Sequence, residues 1–112
     1  MDVKKIAFLS LAISAQDGVI SEKELEKTYS LLRKKSNINK NEFELLVDEF
    51  FSDNGTIEEY VDQALNSGFD SKFILNFCLK AAESDGLDIR ENISFLKACR
   101  ILKHDPKEII DA

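Results

Sequence analysis

The residues of this chain whose types and spacing could do chemistry are acidic and fall in two short stretches. Asp17-Gly18 is followed by Ser21 and Glu24, and Asp85-Gly86, 68 positions later, is followed by Asp88 and Glu91. In the second stretch Glu83, Asp85, Asp88 and Glu91 lie within nine residues, with Arg90 the one basic neighbour. Carboxylates gathered this closely repel each other, and a hard divalent cation such as Ca²⁺, Mg²⁺ or Mn²⁺ would relieve that repulsion through oxygen ligands. Asp17 adds a second argument, because it ends an apolar helix at its electronegative end, where a carboxylate needs a donor or a cation to offset it. A plainer reading competes: Asp-Gly makes each turn, and Glu24, Asp88 and Glu91 cap the following helices with their side chains exposed.

An EF-hand comparison narrows the metal reading. Asp17, Gly18, Ile20 and Glu24 fit the fifth, sixth, eighth and twelfth loop positions, but Ile13 and Ala15 would then occupy the first and third. Neither offers a side-chain ligand, and in the second stretch the twelfth position is Asn92. An ion would therefore have to be held by groups from both turns.

The elements that must position these turns are helical throughout. The first helix spans about Val3 to Gln16 and is apolar on nearly every side, through Ile6, Ala7, Phe8, Leu9, Leu11, Ala12 and Ile13; a helix of that kind belongs at the centre of a fold. Gly18 suits the left-handed position after it. Ser21 and Glu24 form a capping box for a second helix reaching about Lys35, with Leu25, Tyr29 and Leu32 on one face. Asn39 and Glu42 open a third, whose inner stripe is Phe43, Leu46, Val47, Phe50 and Phe51. Thr56 with Glu59 caps a fourth carrying Ile57, Tyr60, Val61, Ala64 and Leu65, ended by Gly68.

A fifth helix, about Asp70 to Glu83, is a second apolar rod expected to pack beside the first. A sixth runs from Asp88 to about Lys103 and buries Ile89, Ile93, Leu96 and Cys99. Asp105-Pro106 then caps and opens a short seventh around Ile109 and Ile110. The reading is an all-α single compact domain, spanning residues 1–112, of about seven helices in two pseudo-twofold helix-turn-helix halves.

Composition agrees with that class. The 112 residues are 44% hydrophobic and 32% charged, with four Gly and one Pro, which leaves little material for the turns of an all-β domain. The net charge of −6 argues against a general nucleic-acid binder. Its one dense basic run, Arg33 to Lys35, falls at a helix C-terminus, where cations complement the macrodipole. Cys78 and Cys99 lack the paired spacing of zinc or redox motifs and read as buried free thiols suited to a reducing compartment. Lys4 and Lys5 ahead of the uncharged run from Ile6 to Gln16, with Ala12 to Ser14 as a cleavage site, resemble a signal peptide. Cleavage there would delete the helix that matches the one before Asp85. The run is also shorter than the roughly 20 residues that span a bilayer.

At the acidic turns the sequence resembles the TerB-like domains associated with tellurite resistance. Their signature is an alanine-rich helix, an Asp-Gly turn and a helix bearing Glu seven positions after the Asp. Ala15, Asp17, Gly18, Ile20 and Glu24 carry the first copy. Ala81, Ala82, Asp85 and Gly86 carry the second, where Asn92 replaces the matching acid and Glu91 stands beside it. The likeness covers most of the chain. It implies a cytoplasmic, non-enzymatic domain linked to metal or tellurite stress, with a metal held by Asp17, Glu24 and Asp85, supported by Asp88 or Glu91. The cation would stabilise docking of the two halves and present an acidic face to a protein partner.

Two other classes compete with this expectation. A metal-independent interaction or immunity-type module would use its acidic side chains as a docking surface. An enzyme is disfavoured: His104 is the only histidine and suits capping, no glycine loop cradles a phosphate, and no serine or cysteine is placed with a histidine partner.

Overall fold

The computed structural model describes residues 3–15, 20–82, 96 and 98–100. Five helices are defined: α1 (Val3–Ser14), α2 (Glu22–Arg33), α3 (Lys40–Ser52), α4 (Ile57–Leu65) and α5 (Ser71–Ala82). Residues 98–100 are also helical, and no strand occurs among the described residues. The described part of the chain is thus all-helical. Its radius of gyration of 12.6 Å is that of one compact unit of this length, for which about 13 Å is expected. The expected seventh helix, most of the sixth and both Asp-Gly turns lie outside the described residues.

Local chemistry sets the helix starts. The Ser21 hydroxyl accepts from Glu24 N–H at 3.1 Å, while Glu24 Oε1 accepts from Ser21 N–H at 3.0 Å. Asn39 and Glu42 make the same reciprocal pair at 2.8 and 3.2 Å. These boxes satisfy amides that have no partner within the helix. At α4 the box is half-built: Thr56 Oγ1 accepts from Glu59 N–H, but its own hydroxyl donates to Glu59 Oε1. Asp70 Oδ1 accepts from Phe73 N–H at 2.9 Å and opens α5.

The central position expected of the first helix is observed. Every residue from Ile6 to Ser14 is buried, and α1 packs chiefly against α4 and α5, with α2 and α3 alongside. The pairing of α1 with α5 follows from burial, because two rods apolar on several sides can cover each other only in the interior. Ile74, Leu75, Cys78 and Ala81 of α5 are wholly buried. Ala98 and Cys99 join the same core.

Three expectations about which side chains face inward are corrected. Phe51 is 60% exposed, because it follows Phe50 by 100° around α3 and one narrow stripe cannot hold both. Leu65, next to buried Ala64, is 49% exposed for the same reason, and Leu96 also lies at the surface. On α2 the buried residues are Glu24, Thr28, Leu31 and Leu32; Leu25 and Tyr29 sit half-buried at the border of that face.

Candidate functional site

Of the five acidic residues expected to hold a metal, the described structure contains one. Asp17, Asp85, Asp88 and Glu91 lie outside the described residues, and Glu24 is placed in the first turn of α2. It does what a capping residue does, but it is not exposed: only 3% of Glu24 reaches solvent. The plainer reading placed this carboxylate in water, and the structure corrects that half of it. The sequence concealed the burial because Glu24 satisfies a capping pattern that most often sits at the surface.

The two carboxylate oxygens are unequal. Oε1 is committed to Ser21 N–H, whereas Oε2 is buried and accepts no hydrogen bond from any of the described residues. A buried carboxylate oxygen without a donor is costly, since taking an ionised group out of water carries a penalty of several kcal/mol that only a partner offsets. Thr28, one turn on and also buried, does not supply the donor, because its hydroxyl donates to the Glu24 carbonyl at 2.7 Å. Among the described residues, no three His, Cys, Asp or Glu side chains converge as a metal-ligand set.

Two further polar groups share this unsatisfied state. Ser10 and Ser14, four apart on α1 and fully buried, hold hydroxyls without a hydrogen-bond partner among the described residues. Isolated buried hydroxyls cost roughly 1–3 kcal/mol each. The sequence held no signal for them, since two serines in an apolar helix look like small core residues.

A second polar arrangement, also missed in the sequence, ties α4 to the loop before it. Tyr60, 3% exposed, donates its hydroxyl proton to Asp53 Oδ2 at 2.7 Å and accepts from Gly55 N–H at 3.2 Å. Burial, then the hydrogen bond and charge of Asp53, push the Tyr60 hydroxyl up to about 12. Its ring lies among Phe8 and Phe50, with centroids 6.0 and 5.7 Å away. Apolar periodicity identified the ring as core; its hydroxyl was the unread part.

The remaining reactive side chains behave as structural groups. Cys78 and Cys99 are free and buried, as expected, and burial, with neighbouring Cys99 adding to it, raises the Cys78 thiol well above the ordinary range. Such a thiol is a poor nucleophile. Arg33 ends α2 and lies 5.8 Å from the Tyr29 ring, and Lys35 lies 4.9 Å from the Phe73 ring, so this basic run covers aromatic surface. His104 lies outside the described residues. Among the described residues no helix is long and apolar enough to cross a membrane.

Comparison with protein-family models, with curated proteins and with solved structures gave no match.

Proposed function

We propose that this chain is a small, non-enzymatic acidic domain of the TerB-like kind. In this reading it binds a divalent cation, Ca²⁺, Mg²⁺ or Mn²⁺, through its two Asp-Gly turns and acts in a cytoplasmic response to metal or tellurite stress. The supporting observation is the buried Oε2 of Glu24, which accepts no hydrogen bond from the described residues while Oε1 caps α2. A cation is the one kind of partner that both offsets a desolvated carboxylate and draws further oxygen ligands to it. Asp17, Asp85, Asp88 and Glu91 are the candidates for those ligands.

The test is thermal unfolding of the full chain after exhaustive chelation, with each ion added back at millimolar concentration. A ligand that binds only the folded state, at 100 times its dissociation constant, adds roughly 2.7 kcal/mol. For a domain of this size that raises the midpoint by several degrees. Glu24→Gln preserves the shape and one capping oxygen but removes the charge, and is expected to abolish the ion-dependent rise. No rise with any ion, or a rise that survives Glu24→Gln, overturns the reading.

A metal-independent interaction module is the second reading, and a different observation favours it. The segment 41–70 carries nine Asp and Glu residues and no Lys or Arg, and all nine are exposed. A surface of one sign steers oppositely charged partners. Chelation would leave such a module's binding unchanged.

A further inference from the structure

We infer that the groove between the start of α1 and the outer face of α3 is a docking site for a basic amphipathic helix of a partner protein. The inference deepens the interaction reading by naming the partner's chemistry and does not depend on a bound cation.

The groove has a volume of about 760 Å³ and is lined by Lys4, Lys5 and Phe8 of α1, by Leu45, Asp48 and Glu49 of α3, and by Gln63 of α4. Its apolar part is unusual for a surface. Leu45 is 63% exposed, the most exposed large hydrophobic residue among those described, and it lines the groove beside the charged Asp48 and Glu49 of the same helix. A large apolar group left in water among charged neighbours marks a place for contact with another molecule. The groove is open to solvent, and an apolar stripe spaced i, i+3, i+4, i+7 on a partner helix could seat one of its side chains against Leu45.

Charge selects the partner's sign. The groove's own two lysines do not make it basic: Lys4 is ion-paired to Glu49 and lies 5.6 Å from the Phe8 ring, and three carboxylates, Asp48, Glu49 and Asp53, line the groove with the two lysines. Beyond the rim, the whole segment 41–70 is acidic without one cation. A helix with Leu-type residues on one face and Lys or Arg flanking them would bury Leu45 and place its cations over the α3 and α4 carboxylates. An acidic helix would meet like charge at Asp48, Glu49 and Asp53. A second copy of this chain, with its net charge of −6, is disfavoured on the same ground.

The probe is a synthetic 18-residue Lys/Leu peptide with its leucines on one helical face, compared with a scrambled peptide of equal composition. Binding to the full chain is read by fluorescence anisotropy and by amide shift mapping. The expected result is binding at least tenfold tighter than the scramble, weakening with salt, with shifts centred on Leu45 to Ser52 and the start of α1. Leu45→Ser is expected to weaken binding at least fivefold and Asp48→Lys to flatten its salt dependence, with neither moving the melting midpoint, because both side chains are exposed. Equal affinity for the scramble overturns the groove but keeps the acidic interaction reading, whereas binding of neither peptide removes both. Self-association through Leu45 in sedimentation assigns the face to a second copy and overturns the inference as well.

Discussion

Tyr60 Oη and Asp53 Oδ2 lie 2.7 Å apart, joining the interior end of α4 to the loop that leaves α3. The phenol is buried and the carboxylate exposed, so the bond runs from the core to the surface. Its strength depends on the proton staying on the phenol. The hydroxyl's rise to about 12 therefore makes a statement about alkaline stability. An unfolded tyrosine ionises near pH 10. Because the folded value lies above the unfolded one, the stabilisation is fully present below about pH 10 and is lost as pH climbs through 12. Urea unfolding across pH 8–12 is expected to show this loss, and Tyr60→Phe to remove that part of it. At neutral pH the same substitution leaves Gly55 N–H without its acceptor and costs about 1 kcal/mol. An alkaline profile identical in the two proteins would contradict the assignment.

Gly55 faces the same ring. A Cβ added there would meet Tyr60 Cζ at 2.7 Å, inside any real contact distance, and the ring cannot retreat because Phe8 and Phe50 pack against it. Gly55→Ala is expected to destabilise the chain by about 1–3 kcal/mol, the scale of overpacking a filled core. A double-mutant cycle with Tyr60→Leu separates this from a loop effect. If the clash is with the ring, the alanine should do less harm once the ring is gone. Additive losses would place the cause in the backbone of residues 53–56.

How far these features were legible depends on whether a local rule or a tertiary neighbour decides them. The caps at Ser21, Asn39 and Thr56 were readable because capping is a contact within four residues, and all three are formed. The central placement of α1 was readable too, since an apolar surface on all sides has only one place to go. Glu24 was half readable. Its pairing with Ser21 is local, but its burial depends on what packs over the start of α2, and no spacing in the chain encodes that. Tyr60, Asp53 and Gly55 share a network across residues 53–60, through a turn, where periodicity has nothing to say about a hydroxyl. The partners proposed for Glu24, namely Asp17, Asp85, Asp88 and Glu91, rest on the sequence alone.

Phe50 and Phe51 give the sharpest contrast between pattern and packing. Both were placed on the inner stripe of α3, and their hydrophobicity is identical. Phe50 is 8% exposed, edge-on to Phe8 with centroids 5.6 Å apart and tilted against Tyr60; Phe51 touches Phe50 from outside and is 60% exposed. Phe50→Ala opens a cavity in the middle of an aromatic cluster and is expected to cost about 3–5 kcal/mol. That lowers the melting midpoint by roughly 10 °C or more. Phe51→Ser removes apolar surface that is already mostly in water, so its effect should stay within about 1 kcal/mol. Denaturant unfolding of the two variants side by side measures the difference directly. Equal losses would mean that Phe51 is covered in solution, so that the face of α3 carrying it is an occupied surface.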